Sequence, residues 1–102
     1  MDYLLGIDVG STSMKALVYD VNGNVVSQGS HPTHSVANDA DHPNWQVYQP
    51  DHIWDGISSA IRDAVSQLGS GDSIAAAAVT GLGADAVPLD EHGEPLYPFI
   101  NW

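Results

Sequence analysis

The spacing of apolar and polar positions changes along the chain, and each change marks an expected element. Tyr3-Leu4-Leu5-Gly6-Ile7-Asp8 is a short apolar run without helical period, which predicts a buried strand ending on a carboxylate. Val9 to Met14 is small and hydroxyl-rich, the composition of a turn. Lys15 to Asp20 alternates, with Ala16, Val18 and Asp20 opposite Lys15, Leu17 and Tyr19, as a second strand would. Asn22-Gly23 is the strongest short-range hairpin signal a sequence carries, so Val25 to Ser30 is read as a third strand. The expected opening is a three-strand antiparallel meander.

His31 to Pro50 is polar and contains Pro32, Pro43 and Pro50, which predicts an irregular excursion of the kind that is usually functional or mobile. Period then switches. Ile53, Trp54, Ile57, Ala60, Ile61, Ala64, Val65 and Leu68 recur at three- and four-residue spacing and build one apolar helix stripe. Pro50 and Asp51 suit its first turn and Gly69 its stop. Ile74 to Thr80 holds four consecutive alanines, which favour helix, but glycine-rich segments bound it closely. It is read as a strand buried on both faces. Ala86 to Leu89 and Leu96 to Trp102 are expected to form two further strands, joined by the turn Asp90 to Glu94. Strands, helix and strands again predict an α/β layer with a mixed sheet.

Length and composition narrow the setting. At 102 residues the chain has room for one small domain, which leaves much apolar surface near solvent. Without cysteine there is neither a disulfide scaffold nor thiolate-bound zinc. No apolar stretch reaches membrane-spanning length and Met1-Asp2-Tyr3 lacks a basic signal start, so no membrane association and a cytoplasmic location are expected. Lys15 and Arg62 are the only Lys or Arg residues against 13 acidic ones, a formal net charge of -11. Such a surface repels nucleic acid and anionic membranes, and repels a polyphosphate unless Mg²⁺ and backbone N–H groups intervene. Abundant acid with scarce lysine also suits a salt-rich solvent. His31, His34, His42, Asp39 and Asp41 can be drawn as a metal cluster, but their spacing fits no firm zinc pattern. His52 and His92 read as solvated surface, Trp45 and Trp54 as packing residues.

The segment that carries chemistry is Ile7-Asp8-Val9-Gly10-Ser11-Thr12-Ser13-Met14-Lys15. A strand ends on a carboxylate and a tight turn follows with one glycine and three hydroxyls. Glycine lets backbone approach a phosphate without a side chain in the way. Successive N–H groups in such a turn can form an anion-binding concavity, and Ser11, Thr12 and Ser13 can donate to phosphate oxygens. Asp8 suits Mg²⁺, bound directly or through water. A plain hairpin turn that happens to be rich in small polar residues has the same composition. No Gly-Lys-Ser/Thr follows, so this is not a Walker-type loop.

The run Leu5-Gly-Ile-Asp8-Val-Gly10-Ser-Thr12-Ser-Met-Lys15-Ala-Leu-Val-Tyr-Asp20 resembles the opening of FGGY carbohydrate kinases, which share the actin and hexokinase ATPase fold. Asn22-Gly23-Asn24-Val25 is similar to that family's first hairpin turn. Trp45, Pro50 and Trp54 fit its tryptophan and aspartate-proline passage, and Val79-Thr80-Gly81 with Leu89 to Leu96 and Ile100-Asn101-Trp102 fit its later strands. The resemblance implies a ribonuclease H-like (actin-like ATPase) layer, with residues 1–102 as the amino-terminal part of the family's first domain. It places the second domain, the general base and the aspartate-arginine segment after Trp102, so this chain alone is expected to be inactive and to need the rest of the protein.

The resemblance implies ATP and Mg²⁺ as cofactors and a sugar or polyol as substrate, phosphorylated on a hydroxyl. Asp8 would position Mg-ATP; Gly10, Ser11, Thr12, Ser13 and Lys15 would bind it. Lys15 can equally be a solvent-facing strand residue. Where the xylulokinase-type histidine or the glycerol-kinase-type arginine-glutamate pair would stand after Gly81, this sequence has Leu82-Gly83-Ala84-Asp85. Ala84 takes the histidine position, and Asp85 either accepts sugar hydroxyls or caps a strand end. Trp102 either stacks on the substrate or fills a core. Rival readings are a non-catalytic nucleotide-binding member of the same superfamily and an acidic binding module; a homo-oligomer is compatible with all three.

Overall fold

The computed structural model describes residues 1–82 and 86–100, the last two by backbone alone. The meander is present: β1 (Asp2–Val9), β2 (Ser13–Tyr19) and β3 (Val25–Pro32) are successive antiparallel neighbours. Asn22-Gly23 turns the chain between β2 and β3, with Gly23 at φ +87°, where a β-carbon is strained. Asp20 closes this turn by accepting from the backbone N–H groups of Asn22 and Asn24, both at 2.9 Å, and from the Asn24 amide at 3.0 Å. The Asn24 side chain, followed by the backbone donors, holds the Asp20 carboxyl below its ordinary value.

Two short strands interrupt the excursion after β3: β4 (Val36–Ala37) and β5 (Gln46–Tyr48). Helix α1 (Pro50–Val65) follows, then β6 (Ser73–Gly81) and β7 (Phe99–Ile100). The main sheet has the order β3-β2-β1-β6, with β6 parallel to β1, and a smaller sheet has the order β4-β5-β7.

Register divides the main sheet into two faces. Leu5 lies opposite Val18, Ile7 opposite Ala16 and Val9 opposite Met14; these side chains face α1. Leu5, Ala16 and Val18 pack with Ala60 and Ala64 in one cluster, while Met14, Tyr48 and Ile53 form a second. The helix can sit this close because the strand beneath it is bare. A β-carbon on Gly29 would overlap the Ala60 carbonyl, and one on Gly56 would overlap the end of the Met14 side chain. Buried Ser27 ties the layers by donating to the Ala64 carbonyl at 2.7 Å.

Several expectations are corrected. The stripe of α1 runs through Ile53, Gly56, Ala60 and Ala64, and Trp54 is 71% exposed. One residue further along an α-helix turns the side chain by roughly 100°, which takes Trp54 off the stripe. The helix stops at Val65 with Ser66 as its cap, before Gly69, although Leu68 still packs on the core from the turn. β6 is a strand as expected but is largely exposed, because α1 lies over β2 and β3 and reaches β6 hardly at all. Residues 86–89 form no strand. Their link to the following segment is the single bridge Leu89–Pro95 around the Asp90–Glu94 turn, where Gly93 has φ +80°. Pro95 and Pro98 lack the N–H a ladder needs, so among the described residues the later strand starts only at Phe99, and Phe99–Ile100 pairs with β5, while Asn101 and Trp102 lie outside the described residues. Among the described residues no helix is long and apolar enough to cross a membrane.

Candidate active site

The parallel pairing of β1 with β6 decides where the polar ends of these strands meet. Val9 lies opposite Gly81, so the turn after β1 and the residues after β6 leave the sheet at one end. In parallel α/β sheets, the carboxyl ends of the strands are where ligands bind. Asp8 is exposed here, and among the described residues its carboxylate accepts no hydrogen bond and joins no ion pair.

The turn is held by its own backbone. Gly10 N–H donates to the Ser13 carbonyl at 3.0 Å, and a β-carbon on Gly10 would come within 2.7 Å of that oxygen. Gly10 is thus required by close approach within the turn itself. Ser11 and Thr12 are exposed, while Ser13 opens β2 and is half-buried. Thr33, 8% exposed, clasps the turn from the end of β3. Its hydroxyl donates to the Gly10 carbonyl at 2.8 Å and its N–H to the Thr12 carbonyl at 2.9 Å. Thr33→Val is expected to lower stability by about 1–2 kcal/mol, since the part-buried Gly10 carbonyl loses its donor. A fall in the unfolding midpoint that Thr33→Ser largely reverses would establish this.

Lys15 stands opposite Asp8 on β2, on the sheet face that α1 leaves open, and the two are not among the ion pairs of the described residues. That face carries a shallow concavity of about 380 Å³, lined by Gly6, Asp8, Leu17, Tyr19, Ala78 and Thr80 among others. A free carboxylate, two exposed hydroxyls and a glycine turn are oxygen-rich and fit hydrated Mg²⁺ with phosphate.

Other candidates separate. Ala84, Asp85 and Trp102 lie outside the described residues. The histidine and aspartate excursion splits in two, and among the described residues no group of three or more such side chains is placed to hold a metal ion. His42 pairs with Asp39 at 2.8 Å, lowering the Asp39 carboxyl below its ordinary value, and stacks on Trp45 with ring centroids 3.7 Å apart. His31 and His34 instead meet His52, whose Nε2 accepts the His34 N–H at 3.2 Å. His52 is therefore half-buried and not solvated surface. Trp45 stacks on His42 and remains 59% exposed. Sequence reasoning missed Thr33 as part of the turn, and no local signal marks it, 23 residues from Gly10.

Residues 3–102 match the model of the FGGY family of carbohydrate kinases, N-terminal domain. The chain belongs to the FGGY family of carbohydrate kinases. A glycerol kinase of Paraburkholderia phymatum is 34% identical over 102 residues, covering 98% of this chain and 20% of the relative. The crystal structure of gluconate kinase from Lactobacillus acidophilus superposes with a TM-score of 0.84 at 26% identity, over 99% of this chain and 20% of that one. Xylulose kinase from Rhodospirillum rubrum gives a TM-score of 0.84 at 29% identity, over 96% of this chain and 20% of its own. This FGGY chain thus spans about one-fifth of the length of the relatives it matches, and its mixed sheet is the actin-like ATPase layer the sequence implied.

Proposed function

We propose that the intact protein transfers the γ-phosphoryl group of ATP to a hydroxyl of a sugar or polyol, in the cytoplasm, with residues 1–102 as the amino-terminal part of its first domain. The observation that carries this reading is the junction of the β1–β2 turn with the carboxyl end of β6. One element offers phosphate-binding chemistry, and the other leads into Leu82 to Asp85, where a substrate site would lie. Relatives named glycerol kinase, xylulose kinase and gluconate kinase support the reaction class.

Asp8 would hold Mg²⁺ directly or through its water; Mg²⁺ when bound neutralises charge on the phosphates. The backbone N–H groups of Ser11 and Thr12 and the hydroxyls of Ser11 to Ser13 would orient phosphate oxygens, with Gly10 holding the turn that presents them, and Lys15 adds a positive charge at that end of the sheet. Asp85 and Trp102 would face the acceptor, with Ala84 leaving room beside them. Phosphoryl transfer depends on such positioning and charge neutralisation more than on covalent help. The test is ADP release by the intact protein with glycerol, xylulose, gluconate or no acceptor. Acceptor-dependent ADP is expected. Nucleotide binding without phosphorylated product would favour a non-catalytic superfamily member, and no nucleotide binding at all would favour an acidic binding module.

A further inference from the structure

β6 carries hydroxyls at two places only, Ser73 at its start and Thr80 near its end. At the first, a cross-strand bond already exists. Asp2 and Ser73 are in register, and the Ser73 hydroxyl donates to the Asp2 carboxylate at 2.6 Å. At the other end of the same strand pair, Asp8 and Thr80 are in register in the same way. Asp8 also lies opposite Lys15, so one row across β2, β1 and β6 reads ammonium, carboxylate, hydroxyl. Alternation puts Asp8 and Thr80 on the open face, and both line the concavity of about 380 Å³. Thr80 is exposed, and among the described residues its hydroxyl makes no hydrogen bond.

We infer that Thr80 is a positioning residue for Asp8: its hydroxyl orients the carboxylate, or a water bound beside it, when Mg²⁺ and nucleotide occupy the turn. The inference rests on the kinase reading. A carboxylate near the end of a strand has a broad terminal torsion, and a donor fixed on the neighbouring strand selects one orientation. Partners of this kind, one step removed from a metal, commonly change metal affinity or activity by about 10- to 100-fold when removed. Ser73 beside Asp2 shows that this strand spacing brings a hydroxyl within bonding distance of a carboxylate. Valine keeps the β-branched shape of threonine and removes only the hydroxyl, while serine keeps the hydroxyl and removes the methyl.

The experiment uses the intact protein with ADP and Mn²⁺ as the probe, metal binding being followed by electron paramagnetic resonance and folding by thermal unfolding. Thr80→Val is expected to weaken Mn²⁺ binding by about 10-fold or more with the melting temperature held, and Thr80→Ser to restore it. Mn²⁺ binding by Thr80→Val as tight as that of the parent overturns the inference and leaves the kinase reading standing. Equal loss in Thr80→Val and Thr80→Ser also overturns it, since packing and not the hydroxyl is then at work. A parent that binds no Mn²⁺ with ADP and yields no phosphorylated acceptor takes down both.

Discussion

Asp8→Asn in the intact protein is expected to lower kcat on the order of 100-fold or more, with little change in acceptor KM. Asparagine has nearly the same shape but loses the charge, so the strand end and turn should stay folded while metal positioning fails. The structure supports this separation because Asp8 is exposed and, among the described residues, braces nothing. Its removal leaves no buried partner unpaired. Steady-state kinetics with saturating Mg-ATP and varied acceptor would measure the split. Equal losses in kcat and acceptor affinity would show that Asp8 shapes the fold, and the phosphate-cradle reading would then fail.

The second large effect concerns the fold. Gly29→Ala is expected to destabilise by about 2–3 kcal/mol, toward the upper part of the range for overpacked sites. The added carbon would run into the Ala60 carbonyl, a backbone atom that cannot swing away, so α1 must lift from β3. Lifting also strains the bond between Ser27 and the Ala64 carbonyl. Gly71→Ala is the matched control, because a β-carbon there meets nothing within 4 Å. Thermal unfolding of the two variants side by side decides it. Similar midpoints would mean that the helix does not press on the sheet at Gly29.

The parts of this architecture that were legible in the sequence are those set by neighbours in the chain. Asn22-Gly23 announced the hairpin because a turn needs only its own residues, and α1 announced itself through period. Burial was harder to read. The alanines of β6 look like core in a string of letters, but what covers a strand depends on where the helix lands. β4, β5 and β7 were hidden for another reason. Each is two or three residues long, and β5 finds β7 some fifty positions away, so no local pattern encodes the pairing. Trp54 was misplaced because apolar character alone cannot tell the stripe from its neighbour one residue on. The site divides likewise. Asp8 to Lys15 is contiguous and could be read, whereas Thr33 and Thr80 join it only through the sheet.

One edge of the main sheet governs how these molecules treat one another. Along Ser73–Gly81 there is neither a charged residue nor a proline, and among the described residues no strand pairs with its outer side. Wherever that side is left bare, copies can zip together through unsatisfied peptide groups. The mutual repulsion of chains carrying a formal charge of -11 opposes such pairing. Sodium chloride near 1 M shortens the reach of that repulsion to about 3 Å. Light scattering of the 102-residue chain should therefore rise with salt, and a charged residue placed mid-strand should suppress the clouding.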